Sequence, residues 1–305
     1  MTMLDTLKAL ADPCRLRLVA VLLQGEFTVQ ELTRIMTMGQ SRISRHLKIL
    51  AEAGVLSVKR QGTWSYYRAG EMSPFFAAIR PAVEAGVESL PERARDLVAV
   101  AAVLEERRRR SQEFFDRHAR QWDELARTLL PVPDYRERLL ALVPEGGTVV
   151  EIGVGTGGLL PALAGRAAHV LGVDHSPAML EETRRRLALA GIAGIDLRLG
   201  EMAHLPLPDN GADCAVLNMA LHHAADPAAV LAEIRRILSP GGVVVLADLA
   251  RHEKEWVREQ LADQWLGFEE EELTVWLTAA GFDEIRCERL EGAAGMETLL
   301  LVRAS

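Results

Sequence analysis

Residues 149–158 read Val-Val-Glu-Ile-Gly-Val-Gly-Thr-Gly-Gly, an apolar run that opens into glycines. A second apolar run, Val170-Leu-Gly-Val, ends at Asp174. No other part of the chain restricts the fold as much. A strand, a glycine turn and an acid at the tip of the next strand form a nucleotide-binding βαβ unit. The glycines let backbone approach the ligand, and the acid meets its hydroxyls. Gly153, Gly155 and Gly158 fit the spacing G-x-G-x-x-G, which also serves NAD. Glu151 stands two residues before the first glycine. An anion there would repel a pyrophosphate but suits a ligand with an ammonium or hydroxyls.

The downstream residues alternate apolar runs with amphipathic stretches. Strands are predicted at 148–152, 169–173, 195–199, 213–218 and 242–248, with a late pair at 284–290 and 297–303. This is the α/β pattern of an open, largely parallel sheet. In such a sheet the ligand lies outside the carboxyl ends of the strands. Glu151, Asp174, Glu201 and Asn218 occupy those ends and would ring one crevice. Leu238-Ser-Pro-Gly-Gly is expected to precede the fifth strand. Cys214, inside a strand pattern, reads as core. His222 and His223 follow Asn218 and suit either a general base or a structural, ligand-packing role.

These segments together resemble the class I S-adenosylmethionine-dependent methyltransferases over roughly residues 110–305. The resemblance rests on Glu151-Ile-Gly-Val-Gly-Thr-Gly, Val173-Asp-His-Ser, Gly200-Glu-Met before Leu-Pro-Leu-Pro, Asn218 with the following Leu-His-His, and Leu238-Ser-Pro-Gly-Gly. It implies a Rossmann-like seven-stranded sheet closed by an antiparallel pair. It also implies S-adenosylmethionine or S-adenosylhomocysteine as cofactor. Glu151, Gly153 and Gly155 would lie by the methionine part and ribose. Asp174, with His175 beside it, would bind the ribose hydroxyls. Glu201 and Met202 would meet the adenine, and Asn218 the amino acid end. Glu201 departs from the aspartate usual in that family. The methyl acceptor would lie near Phe114–Trp122 and Trp256–Phe268. The motifs assign no catalytic residue.

Charge is distributed unevenly. Residues 1–90 hold 11 Lys/Arg and 8 Asp/Glu, a balance of +3, so the remainder carries −8 − 3 = −11. Helical spacing from Leu4 to Gly25 is interrupted at Asp12-Pro13. Thr28, with Glu31 three residues on, caps a helix over Val29–Met38. Gly39-Gln-Ser forms a turn, and a further helix runs from Ser41 to Ala53. Val55–Lys59 and Trp64–Arg68 flank a glycine turn as a hairpin. Ile43, Leu47 and Leu50 mark a buried stripe on the last helix. Gln40, Ser41, Arg42, Ser44, Arg45 and Lys48 mark its open face, with Lys59, Arg60 and Arg68 on the hairpin. Donors at the start of a helix, surrounded by cations, suit base edges and phosphates.

This half resembles the ArsR/SmtB-type winged-helix repressors over about residues 3–90. The carriers are Leu7-Lys-Ala-Leu-Ala-Asp-Pro-Cys-Arg-Leu-Arg-Leu, Ser44-Arg-His-Leu-Lys-Ile-Leu, and Gly54-Val-Leu-Ser-Val-Lys-Arg-Gln-Gly before Trp64-Ser-Tyr-Tyr. The resemblance implies a homodimer on a double-stranded operator. The metal-sensing branch carries cysteines before the turn, where this chain reads Glu26-Phe-Thr-Val-Gln-Glu-Leu-Thr. No metal is therefore expected.

The expected organisation is two domains, an α+β winged helix-turn-helix at 1–90 and an α/β domain at 135–305. A helical linker and cap spans 91–134, with Pro74 and Pro81 punctuating the start of the helical stretch. The run Arg107–Arg110 reads as a solvated face. Cys14, Cys214 and Cys287 are too scattered for a disulfide framework. No apolar run reaches the ~18–20 residues of a membrane helix, and the amino terminus lacks a secretory pattern. A cytoplasmic protein is expected. The combination points to a dimeric DNA-binding regulator whose second domain binds the cofactor as a signal. The alternative is an active methyltransferase with the winged helix as a dimerisation or autoregulatory module.

Overall fold

The structure, a computed structural model, describes residues 2–70 and 73–305. It divides into two compact units, Met1–Arg107 and Arg108–Ser305. The first contains α1 (Met3–Leu10), α2 (Pro13–Leu22), β1 (Phe27–Thr28), α3 (Val29–Met36), α4 (Gln40–Glu52), β2 (Leu56–Gln61), β3 (Trp64–Ala69), α5 (Pro74–Val87) and the first part of α6 (Arg93–His118).

Local chemistry accounts for these boundaries. Asp12 accepts a bond from the Arg15 amide and Pro13 opens α2, which separates it from α1. Thr28 and Glu31 form the reciprocal capping box of α3. Thr37, at φ 54, ends that helix in the left-handed region. Gln40 and Ser41 are already helical, so the predicted turn is tighter than its sequence suggested: Gly39 alone caps α4. Strands β2 and β3 pair antiparallel from Leu56↔Ala69 to Gln61↔Trp64, around Gly62 at φ 56. The two residues of β1 extend this sheet in the order β1-β3-β2, a strand too short to leave a periodic signal. Leu18, Leu22, Leu32, Ile35, Ile43, Leu47, Leu50 and Phe76 fill the core.

Four expectations are revised. Pro81 lies inside α5 rather than breaking it. Arg107 is not a solvated cation. Its guanidinium donates to both Glu31 oxygens at 2.7 and 2.8 Å and to the Glu26 carbonyl at 3.0 Å. Arg68 turns towards Glu26 at 3.8 Å. The 91–134 stretch is also shared rather than separate. Val100 and Val103 belong to the first core, whereas Phe115 and Ala119 pack with Met179 in the second unit.

The second unit continues with α7 (Trp122–Leu129), α8 (Arg136–Leu142), β4 (Thr148–Ile152), α9 (Leu160–Ala164), β5 (His169–Asp174), α10 (Pro177–Leu189), β6 (Ile195–Leu199), β7 (Ala212–Asn218), α11 (Pro227–Ile237), β8 (Leu238–Leu249), α12 (Val257–Gln260), α13 (Glu270–Ala279), β9 (Arg286–Leu290) and β10 (Leu299–Ala304). Its sheet has seven strands among the described residues, ordered β6-β5-β4-β7-β8-β10-β9. Strands β4 to β8 run parallel, and β10 is antiparallel to both neighbours. The order reverses between β4 and β7, which places the switch point beside Glu151. Leu238-Ser-Pro-Gly-Gly lies within β8 instead of before it. Val149, Val170, Val216 and Val245 join Cys214 in the buried core.

Candidate cofactor crevice and recognition surface

The glycine loop is shaped by left-handed backbone. Gly153, Gly155 and Gly157 have φ of 72°, 53° and 76°, where a side chain is strained. A Cβ on Gly153 would stand 2.8 Å from that of Ala220, whereas one on Gly155 would meet nothing within 4 Å. The loop is therefore packed at its first glycine and open at its second. It is also tied down. Gly153 donates to the Val173 carbonyl at 2.8 Å. The Gly155 amide donates to Asp174 Oδ2 at 2.8 Å, and Thr183 Oγ1 donates to the Gly155 carbonyl at 2.8 Å. Asp174 Oδ1 accepts from the Ser176 amide at 2.8 Å. This buried acid thus fixes the loop as well as facing the crevice.

Glu151 is 1% exposed, and its Oε2 has no hydrogen-bond partner among the described residues. Burial pushes its carboxyl up to about 8, the nearby Asp174 charge adds to this, and Arg136 opposes it. A buried acid with an unpartnered oxygen, whose burial Arg136 does not offset, favours a ligand that brings positive charge. Tyr135 donates to Asn218 Oδ1 at 2.6 Å, and burial raises its phenol to about 12, so it stays a donor. The Met202 methyl lies 4.0 Å from where a Gly153 Cβ would be. His175 Nδ1 is 3.4 Å from Asp174 Oδ1. Burial alone would lower the His175 pKa, but the bond to Asp174 and the Asp174 and Glu201 charges raise it. Glu201 lies just beyond the end of β6, bridged to His204.

The helices preceding the sheet contribute groups that sequence reasoning did not single out. Asp116 Oδ1 accepts from Ser176 Oγ at 2.6 Å and from the Ala178 amide at 3.3 Å. Asp123 Oδ1 accepts from Thr156 Oγ1 at 2.7 Å, and its other oxygen pairs with Arg186. Asp116 within the aromatic run Phe114–Trp122 and Asp123 just after it were the available signal, together with Tyr135-Arg136 near the start of α8. Phe115 packs edge-on against His175 and His223, with ring centroids 5.9 and 4.8 Å away. His222 and His223 are both buried. His222 Nδ1 lies 2.6 Å from Asp248 Oδ1. Burial would lower the His222 pKa, but the Asp248 and Asp263 charges outweigh it and raise it to about 9. Burial and the His222 charge together hold the His223 pKa well below the ordinary range.

On the first unit, Gln40, Ser41, Arg42, Ser44, Arg45 and Lys48 are all exposed on α4, while Ile43, Leu47 and Leu50 are fully buried. Arg42 Nη2 lies 3.3 Å from Cys14 Sγ, and Lys48 pairs loosely with Glu52 at 3.8 Å. On the hairpin, Arg60 is exposed and Lys59 half-buried.

Known proteins match both halves. Residues 150–246 match the family model for a methyltransferase domain, and residues 12–58 that for bacterial regulatory proteins of the arsR family. An uncharacterized methyltransferase of Geobacillus kaustophilus is 31% identical over 155 residues, 50% of this chain and 69% of that protein. An arsenite methyltransferase of Halobacterium salinarum is 31% identical over 117 residues, 37% of this chain and 30% of that protein. A solved S-adenosylmethionine-dependent methyltransferase of Thermotoga maritima superposes with a TM-score of 0.51 at 25% identity, covering 64% of this chain and 99% of that one. The chain spans between 30% and 45% of the length of the first of its curated relatives. It belongs to the class I methyltransferase family and carries an ArsR-family helix-turn-helix domain at its N-terminus. Among the described residues, no helix is long and apolar enough to cross a membrane.

Proposed function

We propose that the protein is a dimeric, cytoplasmic, DNA-binding transcriptional regulator whose second domain binds S-adenosylmethionine or S-adenosylhomocysteine as a signal. The observation that carries this reading is the division of α4. Its apolar stripe is wholly buried, and six polar or cationic residues stand exposed at its start and along one face. A helix used only for packing has no need of that concentration of donors. Gln40, Ser41 and Arg42 would meet base edges. Ser44, Arg45, Lys48, Lys59 and Arg60 would meet phosphates.

The crevice fits a cationic, hydroxyl-bearing nucleoside. Glu151 is a buried acid with an unpartnered oxygen, Gly155 leaves space above the backbone, and Asp174 retains lone pairs for hydroxyls. Glu201 and Met202 would border the adenine, with His175 beside the ribose. Asn218, oriented by Tyr135, would hold the amino acid end. Bound S-adenosylmethionine would supply a methyl group activated by a sulfonium.

Operator titrations test the regulatory reading. Fragments from the upstream region of the protein's own gene should shift in a salt-dependent manner, with half-sites about one helical turn apart, ~10 bp. Saturating S-adenosylmethionine and S-adenosylhomocysteine should alter that affinity unequally, with a coupling of ~1–3 kcal/mol. No salt-dependent binding at any concentration would end this reading. Curves unchanged by either ligand would reduce the winged helix to a tether.

The second reading is an active methyltransferase. It is favoured by the preceding helices, which Asp123 ties to the glycine loop and Asp116 to the start of α10, and by methyltransferases among the relatives. Transfer of labelled methyl groups to a small-molecule library would move it to first place.

A further inference from the structure

Asp263 is 3% exposed, and neither of its carboxylate oxygens has a hydrogen-bond partner among the described residues. Buried polar atoms left this way call for an explanation, and an ion is one of the few available. The surroundings are specific. His222 Nε2 lies 3.8 Å from Asp263 Oδ1, and His223 Nδ1 lies 3.7 Å from the same oxygen. One donor atom from each of the three residues falls within 4.8 Å of the others. Separations of 3.7–3.8 Å are too long for hydrogen bonds. They are close to the ~3.3–3.5 Å between two ligands of one tetrahedral ion at ~2.0–2.2 Å, so the site would be completed by a slight contraction in which His223 Nδ1 gives up its 3.4 Å contact with the Ala262 carbonyl.

The backbone holds this arrangement in place. Leu221–His223 form a single 3-10 turn after β7. The Gln264 and Trp265 amides both donate to the His222 carbonyl at 3.0 Å. Trp265 Nε1 donates to the Ala224 carbonyl at 2.8 Å. Asp263, next in the chain, is thereby held against the histidine pair. Asp248 completes the pattern. Its oxygens accept from the Leu221, His222 and Leu249 amides and from His222 Nδ1. A proton held on Nδ1 by that bond would direct Nε2 towards Asp263, as carboxylates do behind metal-bound histidines, and an ion binding there would displace the second imidazolium proton from Nε2.

We propose that His222, His223 and Asp263 form a binding site for a zinc-class divalent transition-metal ion, with Asp248 fixing the ligating tautomer of His222. Two imidazoles and one carboxylate are the donors of zinc, cobalt or nickel, not of magnesium or calcium. Three protein ligands leave one coordination position open. The ion would clamp the turn after β7 to the segment that follows α12. The site stands independently of the regulatory reading.

The test is calorimetric titration of chelator-treated full-length protein with zinc chloride, followed by cobalt(II) absorption spectroscopy. A Cys14→Ser background is used throughout, because Asp12, Cys14 and His46 form a second cluster of possible donors. The background protein should bind one equivalent of zinc, gain thermal stability on binding, and give the intense visible bands of tetrahedral cobalt. Asp263→Asn and His223→Ala, each shown to be folded by circular dichroism, should bind at least a hundredfold more weakly and lose the thermal response. The proposal is overturned if the background protein binds no zinc at micromolar concentrations. It is equally overturned if either folded variant binds with unchanged affinity.

Discussion

Replacing Glu151 with glutamine should make the protein more stable at high pH and a poorer ligand binder at the same time. The carboxyl stands at about 8 in the folded chain against 4.5 for the free group. At ~1.36 kcal/mol per pH unit, that difference is worth roughly 4–5 kcal/mol. The sign follows from linkage. Below pH 4.5 the group is protonated in both states and contributes nothing. Between 4.5 and about 8 the unfolded chain releases the proton and the folded chain keeps it, so stability falls as pH rises. Above about 8 the full penalty applies. Glutamine does not titrate, but it leaves an amide unpaired at a cost of ~1–3 kcal/mol that is independent of pH. The variant is therefore less stable than the parent near pH 4.5 and more stable above pH 8. Urea unfolding followed by tryptophan fluorescence reads this, since Trp122, Trp256, Trp265 and Trp276 all lie in the second unit. The variant-minus-parent difference should change by about 4 kcal/mol between pH 5 and pH 8.5. On the binding side, a cationic ligand selects the ionised acid. Parent affinity for S-adenosylmethionine should rise about tenfold per pH unit up to ~8 and then level off, while Glu151→Gln stays flat. A stability difference that holds constant across the pH range would refute the argument, because Glu151 would then not carry a displaced proton.

Arg45→Ala or Lys48→Ala should weaken operator binding across all sequences and lower the salt slope by about one per lost phosphate contact; a mobility-shift series in potassium chloride decides it. Asp174→Ala should weaken S-adenosylhomocysteine binding by roughly 1.5–3 kcal/mol in calorimetry, and should also raise amide exchange at Gly155, whose amide it accepts; unchanged affinity would remove Asp174 from the site. Arg17→Ala should destabilise the first unit by ~3–5 kcal/mol, since it leaves Asp96, 5% exposed, without its bidentate partner. Differential scanning calorimetry should show that loss as a lowered transition and leave the second unit's transition in place.

Much of this protein was legible before folding. The seven strands of the second unit were marked by apolar runs bounded by glycine, proline and acids. The residues at their ends followed from the rule that parallel strands present ligands at their carboxyl edge. The capping box at Thr28 and Glu31, the stripe of Ile43, Leu47 and Leu50, and the hairpin around Gly62 are short-range patterns. Each is decided by residues within a turn or two of one another, so linear spacing carried them.

What linear spacing could not carry is any property set by partners far apart in the chain. Arg107 read as a solvated cation because its neighbours are polar, yet its acceptor Glu31 lies on α3. The two residues of β1 acquire strand character only by pairing with β3. Tyr135, Asp116 and Asp123 join the crevice through bonds spanning 33 to 83 positions. The proton on Glu151 depends on burial and on Asp174 one strand away. Asp263 comes to lie against His222 and His223 through hydrogen bonds that span about forty residues. Local pattern determined which elements form and which residues stand at the carboxyl edge of the sheet. Tertiary packing decided the charge state, the desolvation and the long-range pairing, because these depend on which groups exclude water from one another.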